Sequence, residues 1–234
     1  AMFDRFGVFR ADSIQDIADV AYGLSIAKPP KGNRICASSV SGGVCILMAD
    51  QCKELGMNLP QLSDEMKRKL KGANPFAHDH NPFDMSGQIP NNPRLFTDSL
   101  HVLLSENDFD IVVSHLGNNG LDEERIMPMI DGIGEFMQKH PDITMLLSTP
   151  APEHIQNRIN RLRIANLPDP TRAIKVAKAL TFFYDHRWKD RGEREPDNVQ
   201  TAVEMPDSWD EYQAKRFLHG LGIRIPKSIF IKKN

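Results

Sequence analysis

The chain has 234 residues, of which 40% are hydrophobic and 26% charged, the proportions of a soluble globular protein. Its 29 Lys and Arg are balanced by 31 Asp and Glu. This balance argues against nucleic acid as a partner, because nucleic-acid binders concentrate Lys and Arg to neutralise phosphates. The longest apolar run, residues 44–49, is too short to span a membrane, and no signal segment is evident. We therefore expect no membrane association and a cytoplasmic location.

Helical and strand-like segments alternate along most of the chain. The apolar spacing predicts helices over residues 13–27, 44–56, 63–70, 93–105, 122–139, 152–162 and 170–187, and strands over 34–40, 109–115, 143–148 and 163–167. Asp12 or Ser13 can cap the first helix, and Gly56 is a natural stop for the second. Because strands alternate with long helices, the pattern predicts a parallel sheet covered on both faces.

The pattern changes after Trp188. Residues 189–206 are charged and interrupted by prolines, which predicts a linker. Beyond them lie one predicted helix and one strand-like segment, which are too small to bury a core. We interpret this tail either as an arm on the main domain or as the start of another domain. An alanine precedes Met2, and we expect the natural chain to extend further upstream.

The loop SVSGG (residues 39–43) joins a predicted strand to a predicted helix. In a parallel α/β sheet, ligands bind outside the carboxyl ends of the strands. Two glycines let the backbone turn sharply, and the first N–H groups of a helix point outward with the positive end of its dipole behind them. A carboxylate or phosphate site fits this pattern. Taken alone, however, the spacing favours an ordinary serine-capped turn, and the chain has neither GxGxxG nor GKS at this point.

The loop SHLGNNG (114–120) follows another predicted strand, but the next helix begins with acidic residues that would repel an anion. A structural role is therefore favoured there. The segment HDHNPFD (78–84) contains four potential metal ligands, His78, Asp79, His80 and Asp84. An Asx-Pro turn held by Asn81 and Asp84 is the simpler interpretation. We predict no metal site and no catalytic residue, and we expect Cys36, Cys45 and Cys52 to be buried free thiols.

Several motifs resemble, in the same order, the ligase-CoA domain of NDP-forming acyl-CoA synthetases. This family includes the ADP-forming acetyl-CoA synthetases and the more distant succinyl-CoA synthetases. The motifs are a strand followed by Ser-Gly-Gly (41–43), then Ala-Asp (49–50), GMNLPQL (56–62) and Asn-Pro-Phe-Asp (81–84). The segment LPDPTRAIKVAKAL resembles the closing turn and helix of that domain. EYQAKRFLHGLGIRIPKS resembles the segment that opens the family's ATP-grasp domain.

The resemblance implies a flavodoxin-like three-layer α/β/α fold with a mainly parallel sheet over residues 1–188. It implies a linker over 189–206 and the truncated start of an ATP-grasp domain over 207–234, which adds a short C-terminal α/β extension. The implied enzyme is an acid–thiol ligase that couples acyl-CoA formation or cleavage to ATP through an acyl phosphate and a phosphohistidine. No cofactor is expected in this chain, whereas the full-length enzyme would use CoA, ATP or ADP, and Mg²⁺.

The resemblance also implies a phosphate site at residues of two loops and a structural motif beside it. The phosphate-site residues are Ser41, Gly42, Gly43 and Val44, with Asn118, Asn119 and Gly120 on the border; the structural motif is Asn81, Pro82 and Asp84. The loop at 114–120 departs from the family's Gly-Gly pattern. His115 is followed by Leu-Gly rather than Thr-Gly, so it is not assigned as the phosphorylated residue.

The partners implied are the missing CoA-binding, phosphohistidine-bearing and ATP-grasp domains, together with acyl-CoA or acyl phosphate. Without those domains the chain is expected to be inactive, because phosphoryl transfer needs groups that position and neutralise the nucleotide. Two alternatives are a non-catalytic flavodoxin-like module with an anion-binding or regulatory role, and an unrelated flavodoxin-like domain.

Overall fold

The computed structural model describes residue 3 and residues 6–105, 109–187 and 210–227. The chain falls into two compact units, residues 1–191 and residues 192–234. In the first unit, the described strands are β1 (Ile35–Ser39), β2 (Phe83–Asp84), β3 (Ile111–His115), β4 (Thr144–Ser148) and β5 (Ala165–Leu167). Its described helices are α1 (Ile14–Ile26), α2 (Gly42–Glu54), α3 (Asp64–Ala73), α4 (Arg94–Leu103), α5 (Glu123–Lys139), α6 (Glu153–Arg161) and α7 (Pro170–Arg187).

The five strands form one parallel sheet in the order β2-β1-β3-β4-β5. This is the strand order of flavodoxin-like proteins, so the predicted fold class is confirmed. The order reverses direction between β1 and β3, which is the point at which such sheets form a crevice for ligands.

Two apolar layers cover the sheet. On one face, Cys36, Val112 and Leu147 pack against side chains of α3, α4, α5 and α6. On the other face, Ala37, Val113 and Leu146 pack against α2 and α7. The inner strands are buried on both faces, which explains why they are short continuous apolar runs in the sequence.

The predicted elements agree with the structure within a few residues at each end, and two local signals are also confirmed. Ser13 caps α1 by accepting a hydrogen bond from the N–H of Asp16 at 3.1 Å. Gly56 follows α2 in the left-handed conformation, with φ of +64°. The strand β2 was not predicted, because two residues within a polar, proline-rich segment carry no periodic pattern.

Asn81 holds the segment before β2 against the edge of β1. Its Oδ1 accepts from the N–H of Ala37 at 3.1 Å, and its Nδ2 donates to the carbonyl oxygens of Ile35 at 2.7 Å and Pro60 at 3.1 Å. The buried amide therefore takes the place of a strand backbone. The interpretation of Asn81 as the holder of its own turn was wrong, whereas Asp84 does accept from the N–H two residues ahead, that of Ser86, at 2.9 Å.

The second unit is described only over residues 210–227, so the predicted linker at 189–206 lies outside the described residues. Its helix, α8 (Glu211–Gly220), begins with a capping box in which Asp210 and Gln213 each accept from the other's backbone N–H. Helix α8 buries none of its residues. Residues 223–227, predicted as part of a strand, form no strand in the described part of this unit. Among the described helices of both units, none is long and apolar enough to cross a membrane.

We predict that Asn81→Asp destabilises the fold by about 3 kcal/mol, because two buried carbonyl oxygens would lose their donor and face a carboxylate. Urea unfolding followed by circular dichroism measures the change. Asn91→Asp is the matched control, since the exposed Asn91 amide donates to the side chain of Gln88. Equal effects of the two substitutions would contradict the role assigned to Asn81.

The ion pair between Asp19 and Arg172 joins α1 to α7. Arg172 donates two hydrogen bonds of 2.7 Å to Asp19, which is 6% exposed, and these bonds hold the pKa of that carboxyl below its ordinary value of 3.8. A depressed carboxyl pKa contributes stability above the unfolded value, and this contribution is lost as pH falls through the folded value.

We therefore predict that Asp19→Asn lowers the free energy of unfolding by about 2 kcal/mol at neutral pH and by progressively less in acid below pH ~4. Asp142→Asn, at an exposed carboxylate 3.0 Å from Lys31, is the control with a small effect. A pH-independent loss of stability in Asp19→Asn would contradict this account.

Candidate functional site

The candidate site lies at the carboxyl ends of β1 and β3, where the strand order reverses. The loops that leave these strands are adjacent, because the N–H of Val40 donates to the carbonyl of His115 at 3.2 Å. A Cβ at Gly117 would lie 3.3 Å from the side chain of Val40. Two of the loops singled out in the sequence therefore meet at the expected crevice.

Helix α2 begins with uncapped donors. Ser41 occupies the N-cap position, but its side chain makes no capping hydrogen bond. Among the described residues, the N–H groups of Gly42 and Gly43 donate no hydrogen bond. Ser41, Gly42 and Gly43 are all exposed, and a Cβ at Gly43 would meet nothing within 4 Å. The serine-capped turn that the spacing favoured is therefore absent here, and these two N–H donors are left without a partner in the described part of the chain.

Val44 and Ser41 contribute less than the motif suggested. The N–H of Val44 donates to the carbonyl of Ser41 at 3.1 Å, so this donor is already used. The N–H of Ser41 donates to Oγ of Ser39 at 3.0 Å. Of the four residues in this part of the predicted site, only Gly42 and Gly43 offer unused backbone donors.

A carboxylate stands beside these donors. A Cβ at Gly42 would lie 2.9 Å from Oδ2 of Asp84, which places that oxygen against the first turn of α2. The position arises because β2 pairs with β1 and aligns Asp84 with Ser39. The negative charge of Asp84 thus offsets part of the positive potential at the N-terminus of α2 and would repel a second anion.

The loop after β3 turns most of its polar groups inward. Nδ2 of Asn119 donates to the carbonyl of Leu116 at 2.6 Å, and the N–H of Gly120 donates to Oγ1 of Thr149 at 3.0 Å. Both residues are buried, whereas Asn118 is exposed. Of the three border residues predicted here, the structure leaves only Asn118 accessible to a ligand.

Asn81 and Pro82 support the site from behind. Asn81 is buried and bonded to β1, Pro82 is half-buried, and the peptide between them is cis. That Asn81, Pro82 and Asp84 form a structural motif beside a phosphate site stays a prediction.

A row of polar residues that sequence reasoning missed crosses the end of the sheet. Register pairs align Ser39, His115 and Ser148, the last residues of β1, β3 and β4. Oγ of Ser39 and Nδ1 of His115 are 2.9 Å apart. Burial lowers the pKa of His115, and the charge of Asp169 opposes this in part. The sequence alone does not show that these three residues are aligned, because the alignment depends on the register of the strands.

The three cysteines are buried, as expected. Burial and the charge of Asp84 raise the pKa of Cys45 to about 12, so this thiol is protonated near neutral pH. Among the described residues, no three His, Cys, Asp or Glu side chains converge to hold a metal ion. In the segment 78–84, Nδ1 of His80 instead lies 2.8 Å from Oδ1 of Asp79.

Curated proteins similar to this chain are named acetate–CoA ligases or, in one case, a feruloyl-CoA synthase. The alpha subunit of an ADP-forming acetate–CoA ligase from Pyrococcus furiosus is 25% identical over 191 residues, covering 81% of this chain and 40% of that subunit. An ADP-forming acetate–CoA ligase from Archaeoglobus fulgidus is 25% identical over 82% of this chain and 27% of its own length. A trans-feruloyl-CoA synthase from an unknown prokaryote is 24% identical over 97% of this chain and 32% of its own length.

Solved structures agree with the fold. The protein PH0766 of Pyrococcus horikoshii matches 78% of this chain and 42% of its own chain, with a TM-score of 0.68 and 21% identity. The dinucleotide-forming acetyl-coenzyme A synthetase 1 of Candidatus Korarchaeum cryptofilum matches 80% of this chain and 41% of its own, with a TM-score of 0.65. No family model matches the chain.

These comparisons confirm the resemblance to ADP-forming acetyl-CoA synthetases. The chain spans between 27% and 40% of the lengths of the curated relatives described. The relatives therefore have long regions outside the part that matches this chain.

If phosphate binds at the α2 turn, Asp84→Asn should strengthen that binding about fivefold, because it removes a nearby negative charge and keeps the oxygen that accepts from Ser86. Phosphate titrations of both proteins at constant ionic strength measure the ratio. Asp79→Asn, in the same loop, is the control. Weaker binding by Asp84→Asn would show that the carboxylate helps to hold the ligand instead of opposing it.

Proposed function

We propose that this chain, a homologue of ADP-forming acetyl-CoA synthetases, is part of an NDP-forming acyl-CoA synthetase. Such an acid–thiol ligase couples acyl-CoA formation or cleavage to ATP through an acyl phosphate and a phosphohistidine. In this proposal the N-terminus of α2 forms one half of the cradle for the phosphoryl group. A cytoplasmic location and the use of CoA, ATP or ADP, and Mg²⁺ by the full-length enzyme belong to the same proposal.

The observation that carries the proposal is the uncapped start of α2. The N–H groups of Gly42 and Gly43 are exposed and unused, and they lie at the carboxyl ends of the strands where the strand order reverses. Two backbone donors and the positive end of a 13-residue helix suit an oxyanion. The family's Ser-Gly-Gly motif coincides with these donors, which links the geometry to the homology.

The site is incomplete as a phosphoryl cradle. A phosphoryl group carries nearly two negative charges, whereas the turn supplies two free donors and lies beside the carboxylate of Asp84. Stabilisation of that charge requires further cationic or donor groups. The partners we propose for this role are the CoA-binding, phosphohistidine-bearing and ATP-grasp domains of the longer protein, with residues 207–234 as the start of the last.

A non-catalytic anion-binding or regulatory module is the second candidate. The inward-facing bonds of Asn119 and Gly120 and the position of Asp84 favour a regulatory role over a catalytic one, since they remove donors and add negative charge at the crevice where a phosphoryl group would bind. The gene sequence on either side of this segment distinguishes the two candidates. A continuous reading frame with a CoA-binding domain before this segment and an ATP-grasp body after it supports the synthetase, and stop codons at both flanks contradict it.

We predict that phosphate shifts the backbone amide resonances of Ser41, Gly42, Gly43 and Val44. Gly43→Pro should weaken binding tenfold or more, because a bond from a neutral donor to a charged acceptor contributes about 1.5–3 kcal/mol. Gly43→Ala is the matched control, since its Cβ meets nothing and its N–H remains. The unfolding midpoint of each variant shows whether the fold is retained.

Phosphate shifts confined to other parts of the chain would contradict the assigned site, as would equal weakening by the proline and alanine variants. For the activity, the full-length protein is assayed with CoA, ATP and a panel of carboxylic acids. The names of the relatives include both acetate and a feruloyl group, so the panel spans small and aromatic acids. Formation of no thioester with any acid would support the non-catalytic candidate.

A further inference from the structure

The hydroxyl of Ser148 has no explanation in the fold. It is fully buried at the end of β4, and it has no hydrogen-bond partner. It is the one such side-chain atom among the described residues. A buried hydroxyl without a partner costs about 1–3 kcal/mol, so a native structure that keeps one points to a second state in which the group is used.

The register places a histidine next to this hydroxyl. His115 is aligned with Ser148 on β4 and with Ser39 on β1, so the three residues lie on one face of the sheet. That face is the one covered by α2 and α7, because the residues two positions earlier, Val113 and Leu146, pack there. The half-buried ring of His115 therefore has a serine on each side, one in use and one unused.

The two serines suit the two protonation states of the ring. Oγ of Ser39 accepts from the N–H of Ser41, so its own O–H is available to donate to Nδ1 of a neutral His115. A protonated imidazole carries two N–H donors and needs two acceptors. Ser39 can accept one of them, and Ser148 supplies the second acceptor.

We propose that His115 is the proton-linked positioning residue of the anion site, taking up a proton when an oxyanion binds at the α2 turn. Ser148 accepts a hydrogen bond from the protonated ring. This inference rests on the proposed function, because it requires an anion at Gly42 and Gly43. Ser39 connects the two parts, since it bonds both the ring and the N–H of Ser41 at the start of the turn.

The charged groups around the His115 ring do not already fix it in the protonated state. Asp169, the residue before α7, acts on the ring through its charge, but its Oδ1 already accepts from Thr171 and Arg172, and Arg172 is held by Asp19. The first turn of α2 carries no acidic residue, and Ser39 and Ser148 are the facing groups on the flanking strands. Two groups that could act from β2 and α2 are Asp84, which lies against Gly42, and Cys45, whose thiol is protonated.

Burial lowers the pKa of His115, so the ring is neutral near pH 7 in the free protein. An anion at the adjacent helix N-terminus favours the imidazolium by charge attraction. By linkage, an anion that raises the pKa of His115 must bind more tightly to the protonated protein, and we expect a ratio of about tenfold.

The test follows the ring resonances of each histidine in the 234-residue chain by NMR across pH ~5–8, with and without inorganic phosphate at constant ionic strength. Phosphate should raise the pKa of His115 and leave that of His140 unchanged. Burial also lowers the pKa of His140, but this residue lies beyond the end of α5, shortly before the start of β4. Affinity for sulfate, which stays a dianion over this pH range, should rise about tenfold as pH falls through the titration of His115.

The variant Ser148→Ala tests the role of Ser148 without any added ligand. It should lower the pKa of His115 further, because the imidazolium loses its second acceptor. Ser114→Ala is the matched control, since Ser114 is also buried beside His115 but bonds Ser38 on the other face. An unchanged pKa in Ser148→Ala would overturn the role of Ser148.

The outcomes separate this inference from the proposed function. If phosphate shifts the amides of Gly42 and Gly43 but leaves the pKa of His115 unchanged, the anion site stands and the linkage is overturned. If phosphate shifts neither those amides nor the His115 titration, both the proposed function and the linkage fail. If it raises the pKa of His115 equally in wild type and Gly43→Pro, the anion binds elsewhere and the inference is overturned.

Discussion

The parallel register of β1, β3 and β4 is the constraint on which the rest of the site depends. It ends these strands in line, so that Ser39, His115 and Ser148 form one row at the carboxyl edge. Because the strand order reverses between β1 and β3, α2 begins on one side of the crevice and the loop at 116–120 begins on the other. Register therefore brings together three groups that are far apart in the sequence. They are the free N–H groups at the start of α2, the bonded pair of Ser39 and His115, and the buried hydroxyl of Ser148.

Electrostatics at this edge is a balance between opposing terms. The dipole of α2 and its two free N–H groups attract an anion, whereas Asp84 already places a carboxylate against Gly42. Asp84 is held there by the pairing of β2 with β1, which Asn81 extends through its amide. A bound oxyanion would therefore be repelled by the carboxylate of Asp84. A proton on His115 or a group from another domain would shift this balance toward binding.

Much of the fold could be predicted from the sequence, because buried strands such as Ile111–His115 leave short continuous apolar runs and amphipathic helices leave periodic apolar patterns. The site was harder to predict. The glycines at 42–43 mark a place where backbone donors are exposed, but the inward bond of Gly120 depends on the position of Thr149, which no local pattern encodes. The row through His115 depends on strand register, and the role of Asn81 depends on a partner 44 residues away.

The homology covers about four-fifths of this chain in the acetate–CoA ligases but 40% or less of those relatives. The central claim is that the first turn of α2 binds an oxyanion. A crystal structure of the chain soaked with tungstate, a phosphate analogue with strong anomalous scattering, tests it most directly. We expect an anomalous peak at hydrogen-bond distance from the nitrogens of Gly42 and Gly43. Tungstate bound at other positions, with none at this turn, would contradict the claim.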